Sequence, residues 1–206
     1  AALLSDGCLL AEYTQNSGQT HSRTLMELAK NMITGCDLTP QDIDAVAVAA
    51  GPGSFTGVRI GVAAAKGFAW GRELPCVGVS TLEAMARQAQ CFSGVVCCAM
   101  DARRQQIYHA LFRSENGQLT RLCDDCAIGL EELVDHLRRL PQPKLVVGDG
   151  AQLCYDHLTA AGISCRLASP DHRFQNAAGA ALAAADMART GHTCTAQELQ
   201  PVYLRL

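Results

Sequence analysis

The chain has 206 residues, of which 49% are hydrophobic and 18% charged, with a formal net charge of −3. That balance excludes a disordered chain, and a slightly acidic protein with 5% aromatic residues lacks the positive field and stacking surface needed to grip a polyanion alone. No apolar run approaches the ~18 residues of a membrane helix, and no basic-then-apolar leader opens the chain. The 11 cysteines are odd in number and sit in apolar runs, as at Cys76, Cys97 and Cys98, so they read as reduced thiols of a cytoplasmic protein.

Residues 1–15 read as a hairpin turned at Ser5-Asp6-Gly7. A helix follows from about Ser22, with Leu25, Leu28, Met32 and Ile33 on one stripe and Gly35 as its stop. Thr39-Pro40 reads as a helix cap with proline at the first helical position. Asp44 to Ala50 is a buried strand by its continuous apolar character. Gly51 to Gly57 is a loop, and Val58 to Trp70 a helix. Cys76 to Val79 is a strand, and Ser80-Thr81-Leu82-Glu83 has the capping-box spacing that opens a helix to about Gln90.

The scheme then restarts. Strands are expected at Gly94–Met100, Gln105–Arg113 and Gln118–Leu122, the last two turned at Asn116-Gly117. An amphipathic helix covers Leu130–Leu140, a strand Lys144–Val147, a helix Gln152–Ala161, a strand Ile163–Leu167 and an Ala-rich helix Asn176–Arg189. The second half thus reads strand, strand, strand, helix, strand, helix, and the first half repeats it with the opening strand missing. This points to a duplicated α/β protein of two lobes, each a mixed sheet flanked by helices. The lobes are expected at residues 1–93 and 94–206, with the last segment packing back on the first lobe. The missing strand would lie before Ala1, as in a truncated or disordered N-terminus.

The most informative stretch is Gly51-Pro52-Gly53-Ser54-Phe55-Thr56-Gly57-Val58-Arg59-Ile60-Gly61, in which a strand feeds a glycine-rich turn and then a helix. Such a turn exposes backbone N–H groups, and the helix dipole favours an anion there. Gly51, Gly53 and Ser54 are therefore candidate phosphate contacts, although on chemistry alone a tight packing turn is the favoured reading of them. Neither the P-loop spacing nor GxGxxG is present. Gly148 and Asp149, between a strand and a helix, are the second candidate nucleotide contact. Gly61, Ala64, Ala65, Phe68 and Ala69 form a small-residue stripe that admits another helix, from this fold or from a partner. Cys123-x-x-Cys126 has metal-ligand spacing without a second ligand pair or a nearby histidine in sequence. Arg103-Arg104 and Arg138-Arg139 supply little phosphate affinity on an acidic chain. No G-x-S-x-G elbow occurs, and no two histidines pair as HxxxH.

AVAVAAGPGSFTGVRIGVAAAKGFA with LPCVGVSTLEAMA, DARRQQIYHALF at 101–112 and the terminal PVYLR closely resembles the TsaB (YeaZ) family over nearly the whole chain. The resemblance implies an actin-like fold related to the sugar kinases (ASKHA, RNase H-like). It also implies a role as partner of TsaD in making threonylcarbamoyladenosine at position 37 of tRNA. The opening strand with an Asp-Thr-Ser motif, usual in that family, does not precede Ala1. TsaD carries two metal-holding histidines four apart on the helix after the next strand, where i and i+4 share a face. The corresponding positions here are Thr81 and Met85, which do not replace them. The resemblance therefore implies a non-catalytic scaffold that binds no cofactor or metal itself, leaving ATP or ADP and the metal to partner subunits. TsaD would bind directly through Phe55, Thr56, Val58, Arg59, Val62 and Lys66, TsaE would join the assembly, tRNA would be engaged through the complex, and a homodimer would form without the partner. The alternative is an independent nucleotide-dependent kinase or ATPase of the same fold.

Overall fold

A computed structural model of the protein describes residues 1–15 and 21–205. They divide into two compact units, residues 1–84 with 176–203 and residues 85–175 with 204–206. The division therefore falls inside a helix near residue 85 rather than at 93/94, and the first unit takes in residues 176–203.

In the first unit β1 (Ala2–Ser5) and β2 (Cys8–Glu12) form an antiparallel hairpin. Its turn is made by Asp6 and Gly7, both at positive φ, a conformation open to Gly and tolerated by Asp. Helix α1 (His21–Gly35) buries Met32 and Ile33. At Thr39-Pro40 the expected helix is a single 3-10 turn, in which the Asp42 carboxylate accepts from the Thr39 N–H (2.8 Å) and hydroxyl (2.7 Å). Strands β3 (Val46–Gly51) and β4 (Cys76–Ser80) pair in parallel, with Val46 opposite Cys76, and are joined through α2 (Phe55–Trp70). Successive residues of β4 point to opposite faces. Cys76 packs with Val62, Ala65 and Ala69 of α2, together with Leu74, Ala196 and Leu199. Val77 and Val79 pack against Ala183 and Ala184 of α7 (Ala177–Arg189). Helix α3 (Thr81–Gln88) follows β4 directly, and the Ser80 hydroxyl accepts from the Glu83 N–H at 3.1 Å.

Two expectations fail here for local reasons. Helix α2 begins at Phe55, three residues before Val58, because the Ser54 hydroxyl accepts from the Gly57 N–H (3.4 Å) and caps it there. Strand β3 is not buried throughout: Val46, Val48 and Ala49 are half-buried and Ala47 is exposed, because β3 has a strand neighbour, β4, on one side only.

The second unit is built on β5 (Gly94–Asp101), whose residues from Gly94 to Met100 are all buried. It runs antiparallel to β6 (Gln106–Glu115) and parallel to β9 (Lys144–Val147). Strands β7 (Gln118–Arg121) and β10 (Arg166–Leu167) complete the order β10-β9-β5-β6-β7, and β8 (Cys126–Gly129) pairs with the start of β6. Asn116 and Gly117, both at positive φ, turn β6 into β7 as an Asn-Gly hairpin does. Helices α4 (Leu130–Arg138) and α5 (Ala151–Ala160) bury Leu130, Leu133, Val134, Leu137, Ala151, Cys154 and Leu158 against Val95, Cys97, Ile107, Leu111 and Val146. Strand β8 and the short helix α6 (Pro170–Arg173) carry no periodicity in sequence and were not expected. All 11 cysteines are free thiols.

His109, on β6, is fully buried. Burial, aided by His136 nearby, pushes its imidazole down to about 4 from an ordinary 6.5. The folded protein therefore holds His109 neutral, while the unfolded chain takes up a proton as pH falls below 6.5. Stability from this group is constant above that value, falls through the window from about 6.5 to about 4, and is level again below it. We expect a loss of about 2 kcal/mol between pH 7 and pH 5 from His109 alone. Urea unfolding of His109→Leu over that range should show a shallower pH slope than the parent, and an equal slope would contradict the assignment.

Candidate functional site

The glycine-rich turn is a packed junction. Gly51 has φ +133°, and a Cβ there would lie 2.2 Å from the Val202 carbonyl oxygen. The Val202 N–H in turn donates to the Ala50 oxygen at 2.7 Å. The C-terminal segment thus lies directly on the turn. Ser54 is exposed but its hydroxyl serves as the α2 cap, and Gly53 is half-buried beside it. Packing and capping account for Gly51 and Ser54 without an anion.

Gly148 and Asp149 have a parallel arrangement in the second unit. Gly148 has φ +110°, and a Cβ would meet the Ala99 oxygen at 1.9 Å. The Gly150 N–H donates to the same oxygen at 3.1 Å. The Asp149 carboxylate accepts from the Asp101 N–H at 3.2 Å, and Asp101 accepts from the Arg103 N–H at 2.7 Å. Asp149 is exposed and ties the end of β5 to the start of α5.

Helix α2 separates its residues by face. Val62, expected at a partner interface, is instead only 4% exposed and belongs to the core with Ala65 and Ala69. A helical period places it toward β4, so it is removed from the interface set. The small-residue stripe also turns largely inward: Ala65 and Ala69 are buried, and a Cβ on Gly61 would meet Val48 Cγ2 at 3.3 Å. The outward face is different. Thr56, Arg59, Ala63, Gly67 and Trp70 are all exposed and recur at the three- and four-residue steps of one face. Val58 is half-buried, and Lys66, also half-buried, donates to the Gln197 oxygen at 3.2 Å.

At the start of that face Phe55 is 57% exposed and Trp70, at its end, 63%. The Arg59 guanidinium lies 3.9 Å from the centre of the Phe55 ring, and its Nε donates to the Tyr203 hydroxyl at 2.8 Å. The Phe55 and Tyr203 rings are 5.3 Å apart. Arg59 is therefore held by a cation–π contact and a hydrogen bond, which immobilises a large apolar and cationic surface in the open. Sequence reading marked Phe55, Thr56 and Arg59 but missed Tyr203, Ala63, Gly67 and Trp70. The exposed three-and-four spacing on α2 was the available signal.

The positions expected to hold metal ligands carry Thr81 and Met85, which are 5% and 2% exposed. Neither side chain is a histidine substitute, and among the described residues no group of three or more His, Cys, Asp or Glu is arranged to hold a metal ion. The fold does bring a histidine to the CxxC pair: Cys123 Sγ lies 3.7 Å from His109 Nε2, and Cys126 donates to the His109 oxygen at 3.7 Å. Burial pushes both thiols above their ordinary value, so they stay protonated and pack beside the core. Among the described residues no helix is long and apolar enough to cross a membrane.

The family described as TsaD, tRNA N6-adenosine threonylcarbamoyltransferase, matches residues 9–189. A Bacillus subtilis protein named tRNA threonylcarbamoyladenosine biosynthesis protein TsaB is 37% identical, the match covering 74% of this chain and 66% of that one. Its Escherichia coli namesake is 33% identical over 99% of this chain and 88% of its own. The chain belongs to the TsaB family. The structure of YeaZ from Pseudomonas aeruginosa superposes with a TM-score of 0.82 at 23% identity, covering 98% of this chain and 92% of that one, so the fold is the actin-like fold of duplicated lobes.

The two kinds of glycine on this surface predict opposite responses. Gly51→Ala should cost about 2 kcal/mol or more, because φ is positive and the Val202 carbonyl occupies the space. Gly67→Ala, with nothing within 4 Å of the added carbon, should stabilise by about 0.5–1 kcal/mol through helix propensity alone. Thermal unfolding of both variants checks the pair, and equal effects would contradict the packing described.

Proposed function

We propose that this chain is a non-catalytic subunit of the assembly that transfers threonylcarbamoyl to N6 of adenosine 37 in tRNA, and that it acts by docking on TsaD. The relatives named TsaB supply the process. The observation that carries the docking role is the outward face of α2. Ala63 and Gly67, four residues apart, let a facing helix approach closely. Arg59, clamped by Phe55 and Tyr203, and Trp70 flank them as the aromatic and arginine anchors typical of interface hot spots. An exposed patch of this kind rarely stays bare, so the same face covers itself in a symmetric homodimer when TsaD is absent.

The remaining parts of the reading follow from chemistry. With Thr81 and Met85 in place of ligands, the metal and the ATP or ADP belong to partner subunits, TsaD and TsaE. Arg103-Arg104 and Arg138-Arg139 give too little positive charge for tRNA to bind this subunit by itself, so tRNA is engaged through the complex, in the cytoplasm. The independent-kinase reading rests on Gly53, Ser54 and Asp149, and the capping and strand-end bonds of Ser54 and Asp149 speak against it. Titration calorimetry of the isolated chain with ATP and Mg²⁺ should show no binding at micromolar concentrations; tight binding with turnover would replace the docking role.

Ala63→Glu puts a charge on the docking face without touching the core. It should leave thermal unfolding unchanged and weaken binding to a TsaD protein at least about tenfold, because a buried unpaired charge is strongly unfavourable. Pull-down and size-exclusion chromatography with a TsaD protein read this directly, and undiminished binding by Ala63→Glu would remove α2 from the interface.

A further inference from the structure

The docking role leaves the Cys123-x-x-Cys126 pair unused, and the pair sits where the sheet of the second unit is interrupted. Strand β6 pairs with β7 as far as Phe112 and Arg121, and with β8 from His109 and Cys126. Between these registers the Leu122 N–H donates to the Leu111 oxygen at 2.8 Å. The step from Leu111 to His109 is two residues, whereas the step from Leu122 to Cys126 is four. Residues 123–125 therefore fold out of the ladder instead of running extended.

Arg121 holds the bend. Its guanidinium donates to the Asp125 carboxylate at 2.6 Å and to the Cys123 oxygen at 3.4 Å, and it lies 4.6 Å from the centre of the Phe112 ring. The bend brings both sulfurs onto one residue. Cys123 Sγ lies 3.7 Å from His109 Nε2, and Cys126 Sγ lies 3.7 Å from the His109 oxygen. Cys123 Sγ also accepts the Leu111 N–H at 3.2 Å, a donor that in an unbroken ladder goes to a backbone oxygen of the neighbouring strand.

We propose that Cys123 and Cys126 form a reversible disulfide by exchange with a small-molecule disulfide of the glutathione type, which makes this sheet edge a redox-sensitive modification site. Cys123 Sγ attacks one sulfur of the small disulfide. The new S–S bond forms as the old one breaks, and the Cys123 proton ends on the departing thiolate. Cys126 Sγ then attacks the Cys123 sulfur of the mixed disulfide, closes the Cys123–Cys126 bond and releases the second small thiol, which takes the Cys126 proton. The protein gives up two electrons and two protons, and the small disulfide is reduced to two thiols. A disulfide spans Cα atoms only about 4.4–6.8 Å apart, a separation that three extended steps of about 3.3 Å exceed and that the bend shortens. Burial keeps both thiols protonated at rest, so exchange is slow. A dithiol that gains little by ionising also yields a disulfide that is correspondingly hard to reduce.

Other thiols are less well placed. Cys97, Cys98 and Cys154 are buried away from an incoming disulfide. Cys76 and Cys194 face each other across an antiparallel bridge, but they exchange both backbone hydrogen bonds, at 2.8 and 2.9 Å. That is the more widely spaced kind of cross-strand pair, and Cys76 is fully buried. The proposal is independent of the docking role of α2.

Trypsin isolates the pair, because the peptide Leu122–Arg138 holds Cys123 and Cys126 and no other cysteine. The folded, reduced chain is treated with glutathione redox buffers, quenched by alkylation and mapped by mass spectrometry. Excess oxidised glutathione should make this peptide lighter by two hydrogens and closed to alkylation, and dithiothreitol should restore it. Cys126→Ala should halt at a glutathione adduct on Cys123, and Cys123→Ala should slow modification of the peptide at least about tenfold. In one fixed buffer the ratio of disulfide to dithiol should be at least about tenfold higher in the folded chain than in urea, because the fold sets the effective concentration of one sulfur at the other. A peptide that stays reduced while Cys8 and Cys91 take up glutathione, a Cys76–Cys194 link that forms first, or an equal ratio in urea would each overturn the proposal.

Discussion

Backbone packed on backbone at the end of a parallel strand is the constraint on which both units depend. At Gly51 the carbonyl of Val202 occupies the place of a side chain, and at Gly148 the carbonyl of Ala99 does. Both glycines take a positive φ that other residues adopt at a cost, and both release the chain into a helix, α2 in one unit and α5 in the other. Just beyond Gly51 the Ser54 cap fixes where α2 begins.

That division of α2 gives the reading its content. A stripe of small residues was legible in the sequence, yet two faces of the helix carry small residues for different reasons. Ala65 and Ala69 are small because β4 and Leu74 crowd them, whereas Ala63 and Gly67 are small with only open space outside. Periodicity alone does not tell these apart, because both recur at helical steps. Val62 fell on the wrong side for that reason. Tyr203 escaped notice because it lies 144 residues from Arg59 and only the fold brings them together.

Much of the architecture was nonetheless written in local pattern. The Asn116-Gly117 hairpin, the Ser80 cap and the continuous apolar run of β5 each carry their own signal, and the restart of the element order at Gly94 revealed the duplication. Strand β8 and helix α6 were illegible because four-residue elements hold too few positions for a period to show. The expected burial of Asp44–Ala50 rested on its apolar side chains, and only Ala50 is buried. Its failure in the structure follows from β3 having a strand neighbour on one side only among the described residues.

On the function proposed above, this chain contributes a surface rather than a reaction. The most direct measurement is threonylcarbamoyl transfer to tRNA by purified components, with this chain alone, with TsaD and TsaE alone, and with all three together. The account predicts no transfer by the chain alone and a clear gain when it joins the other two. Transfer by the isolated chain, or an assembly indifferent to its presence, would contradict it.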